Sequence, residues 1–491
     1  MEIPKEVKSV IAKLKKAGFQ SYIVGGCVRD ILRDVVPEDW DVTTNAKPEE
    51  IKKVFPENFY ENKFLTVTVQ TASKDRKLKE IEITTFRSEA KYTDKRHPDE
   101  IKFAKTLEED LARRDFTVNA VALKLGFVGK KPSFQIIDSF NGQEDLKNKI
   151  IRAVGNAEER FSEDALRMMR AARLASTLNG GWKIEEGTNE AIKNKAALLK
   201  FISQERIRDE LVKIIMSDGA VMGVELLREL GLLKHIIPEL LEGYKVGQNK
   251  HHIYDCYEHN LKSLEYAAKK NFNKEVRLAA LLHDVGKPRA KRGEGLNSTF
   301  YSHEIIGAKM ASQILSRLKF PKKESNKIVK LVRYHLFYYN VGEVGDSSVR
   351  RLVMKVGQEY MEDLLQVRQA DRIGSGVPKA EPYKLRHLKY TIDKVSQDPL
   401  SAKMLKVNGE DVMEILDVKP SPKVGQVLNV LLGYVLEDPQ KNKKEFLREE
   451  AEKLGNLSEQ ELSALADKAK KERENLETKK DEMTKAKYWV T

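Results

Sequence analysis

The spacing of apolar and polar positions changes character once along the chain, near residue 150. Before that point short runs alternate with turns. The stretch from Lys5 to Ala17 is amphipathic and charged, which predicts a helix stopped by Gly18. Tyr22–Val24 predicts a short strand and Gly25-Gly26 a turn. A helical turn carrying Arg29 and Asp30 follows, then a second strand holding Asp39 and Asp41. A helix is expected near Pro48–Phe55, with proline at a tolerated early position. Strands are expected around Leu65–Gln70 and Lys79–Thr85, where Ile81 and Ile83 alternate with Glu82 and Thr84. From Phe161 the pattern turns helical and is expected to stay so. Ser162 is placed as N-cap, with Glu163 and Asp164 in the first turn and an apolar stripe of Leu166, Met169 and Ala172. Further helices are predicted over Ser203–Leu233 and, around a PSP turn, in VNGEDVMEILDVKPSPKVGQVL. Charge dominates from about Gln440, and the end of the chain is expected as an exposed helix or as partly disordered. The fold class is therefore α+β, a mixed sheet followed by an all-α region, without internal repeats.

Candidate chemistry sits on these elements. Residues two apart in a strand face the same way, so Asp39 and Asp41 present two carboxylates side by side with Trp40 turned away. A hard divalent cation relieves their repulsion, although many such pairs are solvated turn residues. Gly25 and Gly26 let the backbone approach a phosphate, with Arg29 near it. Glu82 completes a three-carboxylate site if its strand lies beside Asp39 and Asp41, and is otherwise an exposed strand glutamate. In Arg113-Arg114-Asp115 the arginines suit triphosphate oxygens and Asp115 a ribose hydroxyl; the alternative is a buried ion pair. Arg87, Asp94, Arg96 and His97 lie in a polar stretch without periodicity, expected as a mobile loop able to touch a base or phosphate.

Asp164, Arg167, Arg170 and Arg173 recur every third residue, ordinarily the mark of a solvated helix face. Cytosine and adenine share an edge, an amino donor beside a ring-nitrogen acceptor, that uracil and guanine reverse. A rigid carboxylate and guanidinium, Asp164 with Arg167, would accept from the amino group and donate to the ring nitrogen, selecting C and A without a template. Separately, His259, His283, Asp284, His303, His335 and Asp371 form a histidine–aspartate set suited to first-row divalent ions, two of which can activate water against a phosphoester.

Composition narrows the partners. A formal charge of +13 favours a polyanion, nucleic acid before a membrane surface. With only Cys27 and Cys256, neither in a CxxC pattern, no disulfide framework or thiolate zinc site is expected, and a reducing compartment fits best. No stretch approaches the roughly 18 apolar residues that span a bilayer. A cytoplasmic protein without a membrane partner is the expectation.

Together these motifs resemble the bacterial class II CCA-adding tRNA nucleotidyltransferases, which share ancestry with bacterial poly(A) polymerases. The carrying residues are VGGCVRD (24–30), DWD (39–41), FRSEAKYTDKRHPDE (86–100), RRDFTVNA (113–120) and EDALRMMRAAR (163–173). LLHDVGKP (281–288) resembles the HD phosphohydrolase domain attached to many members. The likeness runs to about residue 455; Arg33-Asp34 and Leu174 depart from it where glycine and phenylalanine are common. The resemblance implies a nucleotidyltransferase head over 1–150, a helical neck over 151–245, an HD domain over 246–375 and a helical, charged tail over 376–491. It implies Mg²⁺ at Asp39 and Asp41, and nucleotide contacts by Gly25, Gly26, Arg29, Arg114, Asp115, Asp164, Arg167, Arg170 and Arg173. A transition metal such as Ni²⁺, Mn²⁺ or Fe²⁺ is implied in the HD domain. The implied activity is addition of CCA to a tRNA 3′ end from CTP and ATP. Poly(A) polymerase and a chain acting chiefly as an HD phosphohydrolase are the alternatives. The oligomeric state and the HD substrate stay open.

Overall fold

The computed structural model describes residues 3–61, 66–90, 100–128, 131–249, 253–396 and 402–490. It divides into two compact units, Met1–Leu336 with Asp363–Pro378, and Phe337–Glu362 with Lys379–Thr491.

The first unit begins with a seven-stranded sheet. Its strands are β1 (Ser21–Val24), β2 (Asp41–Thr44), β3 (Asn58–Glu61), β4 (Thr66–Gln70), β5 (Glu80–Thr85) and, after a separate ribbon of β6 (Arg87–Ala90) with β7 (Glu100–Phe103), the hairpin β8 (Ala122–Val128) and β9 (Lys131–Ile137). The order across the sheet is β3-β4-β5-β2-β1-β8-β9. Only the β2–β5 pairing within it is parallel. Central β1 is buried throughout because both its faces are covered. Ile23 joins a core with Val7, Ile11 and Leu14 of the Lys5–Lys16 helix, whereas Tyr22 and Val24 pack with Phe86, Leu107 and Leu111 on the other side. Flanked strands β4 and β5 keep the expected alternation, with Ile81 and Ile83 inward and Glu82 outward.

The second strand starts later than expected. Asp39 lies in a bend, and β2 begins at Asp41. The antiparallel ladder stops at Val24↔Asp41 because Gly25, at φ +81°, turns the partner chain away. Asp94, Arg96 and His97 lie outside the described residues; the segments flanking them pair as β6 and β7 rather than forming loop.

The helical region is broken where continuity was expected. One helix covers Ala157–Glu163, capped by Asn156, whose side chain accepts from the amides of Glu158 and Glu159 at 3.0 and 3.3 Å. Ser162 is therefore inside a helix and not its cap. Asp164 is extended (φ −139°, ψ 102°), and a second helix runs Leu166–Thr177. A two-residue parallel pair, β10 (Ile150–Ile151) with β11 (Lys183–Ile184), interrupts the helices further on. The helices Cys256–Lys269, Lys274–Leu282, His303–Arg317, Lys322–Tyr334 and Met361–Gly374 follow. Arg277, 2% exposed, gives its guanidinium to the carbonyls of Ile215 and Ser217 (both 3.1 Å), Ala268 and Phe272, tying the helix ends together.

The second unit packs Val412, Val427, Leu431, Leu447 and Leu462 into its own core. The charged end of the chain is a 30-residue helix, Glu459–Tyr488. Ser458 and Glu461 cap it reciprocally, and Leu462 and Ala466 anchor it.

Candidate functional site

Two clusters of chemistry-bearing residues form in the first unit. In the head, sheet register brings two carboxylates together, Asp41 on β2 pairing in parallel with Glu82 on β5, and Asp39 lies in the bend two residues before Asp41. Burial and the adjacent Asp39 raise the Asp41 carboxyl to about 7, Glu82 adds to the rise, and Arg114 opposes it. The charge of neighbouring carboxylates thus works against ionisation of Asp41. Gly25 closes it from the other side: a Cβ there would stand 3.1 Å from both Asp41 Oδ2 and Arg114 Nη1.

A polar chain leads from this turn toward the neck. Arg29 grips Asp30 with two 2.9 Å bonds and donates to Asn119 Oδ1 at 3.0 Å. Asn119 donates to Asp115 Oδ1 at 3.2 Å, and Asp115 Oδ2 holds Arg170 at 2.6 Å. Burial works against the Asp115 charge, but Arg170, Asn119 and Arg167 outweigh it and hold the carboxyl at about 2. Buried Asp110 anchors Arg113 at 2.8 Å and Arg114 at 3.3 Å. Asp115 thus forms a buried ion pair, the arrangement the sequence offered beside a ribose contact.

The charged row is distributed between different partners. Arg167 pairs with Glu163 at 2.7 Å and donates to the carbonyls of Arg160 and Arg113; Arg173 pairs with Glu210 at 2.6 Å. Asp164, in the break, is held by Arg206 at 2.7 and 3.2 Å. Asn119, Asp110, Glu210 and Arg206 were missed as site residues. The last two lie in ISQERIRDEL, within the stretch expected as helical over Ser203–Leu233, where the charge pattern does not name their partners.

All six residues of the histidine–aspartate set converge. Asp284 lies at the centre. Its Oδ2 is 3.0 Å from His259 Nε2 and 3.3 Å from His283 Nε2, while its Oδ1 is 3.2 and 3.5 Å from the Nε2 atoms of His303 and His335. Asp371 Oδ1 is 3.4 Å from His259 Nε2. His283, His303 and His335 each place Nδ1 against a backbone carbonyl three residues earlier, at 2.8, 2.6 and 2.7 Å. Donation there leaves each Nε2 lone pair aimed at the cluster, the tautomer a metal requires. With no metal bound, burial disfavours a charged His283, yet Asp284 and Asp371 outweigh it and raise its imidazole to about 10, so a metal would have to displace that Nε2 proton. His259, His283, Asp284 and Asp371 form one group of donors and Asp284, His303 and His335 another, and either group could hold a divalent ion. A cavity of about 470 Å³ opens on the cluster, with Lys287, Arg368 and Arg372 in its wall.

Among the described residues no helix is long and apolar enough to cross a membrane. Residues 21–152 match the poly A polymerase head domain, 181–243 the probable RNA and SrmB-binding site of polymerase A, and 256–374 the HD domain. The fold and both sites thus define a nucleotidyltransferase with an attached HD domain. The chain is 35% identical to the CCA-adding enzyme of Ligilactobacillus salivarius over 92% of its own length and 98% of that protein. It is 35% identical to the A-adding tRNA nucleotidyltransferase of Deinococcus radiodurans over 66% of its length and 74% of that protein. Among solved structures, the Bacillus stearothermophilus CCA-adding enzyme in complex with CTP superposes with a TM-score of 0.57 at 27% identity, covering 92% of this chain and 97% of that one. The chain belongs to the CCA-adding enzyme family.

Proposed function

We propose that this protein adds CCA to the 3′ end of tRNA from CTP and ATP, without a template, at the head site. The observation carrying this reading is the Asp39–Asp41–Glu82 carboxylate group opposite Gly25 and Arg114. Bound there, Mg²⁺ would supply activation of the tRNA 3′-hydroxyl and neutralisation of the triphosphate charge. Asp39, Asp41 and Glu82 would hold it, while Arg29 and Arg114 would take triphosphate oxygens. Asp164 reads the amino group shared by cytosine and adenine, and Arg167 the ring nitrogen beside it. The basic excess of the chain favours a salt-sensitive grip on the tRNA backbone.

The HD site is a second, hydrolytic centre. Its residues would hold a divalent transition metal such as Mn²⁺, Ni²⁺ or Fe²⁺, and Lys287, Arg368 and Arg372 make its cavity suited to a phosphoester.

Purified protein incubated with tRNA lacking its CCA end tests the reading. CTP with ATP should give three added nucleotides and then arrest, and Asp39→Asn should lower addition by about 100-fold or more. Long adenosine tracts would point instead to a poly(A) polymerase. The similarity to an A-adding relative favours one narrower reading, in which only the last nucleotide is added. Extension of a CC-ended tRNA by ATP, with CTP inert on the shorter one, would establish it.

A further inference from the structure

The side chain that fixes Asp164 comes from neither the head nor the helix bearing Arg167. Arg206 lies in the first turn of the Gln204–Ile215 helix and reaches across to Asp164 with both guanidinium nitrogens, Nη1 to Oδ1 at 3.2 Å and Nη2 to Oδ2 at 2.7 Å. The Leu166 amide also donates to Oδ1, at 3.1 Å. An ionised carboxylate has roughly four acceptor positions. Of these, Oδ1 has two filled and Oδ2 one, which leaves one position on Oδ2 among the contacts of the described residues.

The backbone at Asp164 adds to the case. In the break between two helices it is extended, and no helical turn fixes the direction of its side chain. The Leu166 amide alone holds one oxygen and permits rotation about that contact. A planar two-pronged fork removes that freedom.

We infer that Arg206 is a specificity-determining positioning residue, which sets the plane of the Asp164 carboxylate so that a single acceptor position faces the nucleotide base. The inference rests on the proposed role of Asp164 in base selection. One fixed acceptor accepts one amino hydrogen from cytosine or adenine, whereas the carbonyl of uracil or guanine brings a lone pair against it. A carboxylate free to turn would move its oxygen aside and tolerate that carbonyl. Arg206 thereby converts a charge into a reader.

The test is single-turnover incorporation of CTP, ATP, UTP and GTP on tRNA lacking CCA, by wild type, Arg206→Gln, Arg206→Lys and Asp164→Asn. Arg206→Gln is expected to reduce the preference for C and A over U and G by about 10-fold or more, with an unchanged KM for tRNA and an unchanged melting temperature. Arg206→Lys keeps the charge without the fork and is expected to stay unselective. Selectivity restored by lysine, or preserved in Arg206→Gln, overturns the inference. Faster addition at full selectivity in Arg206→Gln also overturns it, showing that Arg206 competes with the base for Asp164. Should Asp164→Asn itself retain full selectivity, the base-reading role fails; lost selectivity in Asp164→Asn alone removes only Arg206.

Discussion

At Gly25 the backbone takes φ +81° and ψ −143°, a region that only glycine enters without strain, while Asp41 and Arg114 crowd the place of a Cβ. Gly25→Ala should therefore cost about 1–3 kcal/mol of stability and displace the metal carboxylate from its arginine. Urea unfolding and the rate of nucleotide addition would register both effects. Asp115 carries a pH dependence. Its folded-state carboxyl, held at about 2, lies below the ordinary 3.8. Its contribution to stability is complete above about pH 4 and is lost as the pH falls toward about 2. The stability difference between wild type and Asp115→Asn, measured by denaturant at pH 7 and again at pH 3, should shrink on acidification. The sequence offers a ribose contact for this residue with a buried ion pair as the alternative, because its partner Arg170 is 55 positions away and only folding brings the two together.

Elements fared differently according to what ends them. The first helix was legible because one apolar stripe and Gly18 mark it completely. The hairpin β8–β9 and strand β3 went unforeseen, since pairing rather than alternation specifies them. Ser162 looked like a cap because serine before two acids is a good start signal. Asn156 six residues earlier took that role, and the helix broke at Asp164, where Arg206 supplies a side-chain partner. The joint between helices made by Arg277 was equally invisible, as two of its acceptors are the backbone carbonyls of Ile215 and Ser217, 62 and 60 positions away. Arg277→Ala leaves several buried carbonyls without their donor and should destabilise the first unit by about 3 kcal/mol, read as a lower urea midpoint.

Over the whole molecule, two separate chemistries are built on one chain. The histidine–aspartate cluster should bind metal independently of the head. Chelator-stripped protein is expected to gain about 2.7 kcal/mol on addition of Mn²⁺ or Ni²⁺ at about 100 times the dissociation constant. His303→Ala and His335→Ala should each reduce that gain in thermal unfolding, and Asp39→Asn should leave it unaltered.

The amino-acid order by itself determined the kind of chemistry. Carboxylates two apart, paired arginines and an HD motif with outlying histidines are local statements of charge and donor type, and these survive any packing. It also fixed the sheet-then-helix order, since hydrophobic period is written residue by residue. Tertiary structure alone decided which groups meet: Glu82 beside Asp41 through a parallel register, four histidines and Asp371 around Asp284, and Arg206 rather than Arg167 on Asp164. Contacts of that kind depend on chain reversals and packing between elements far apart in sequence, and no local pattern encodes them.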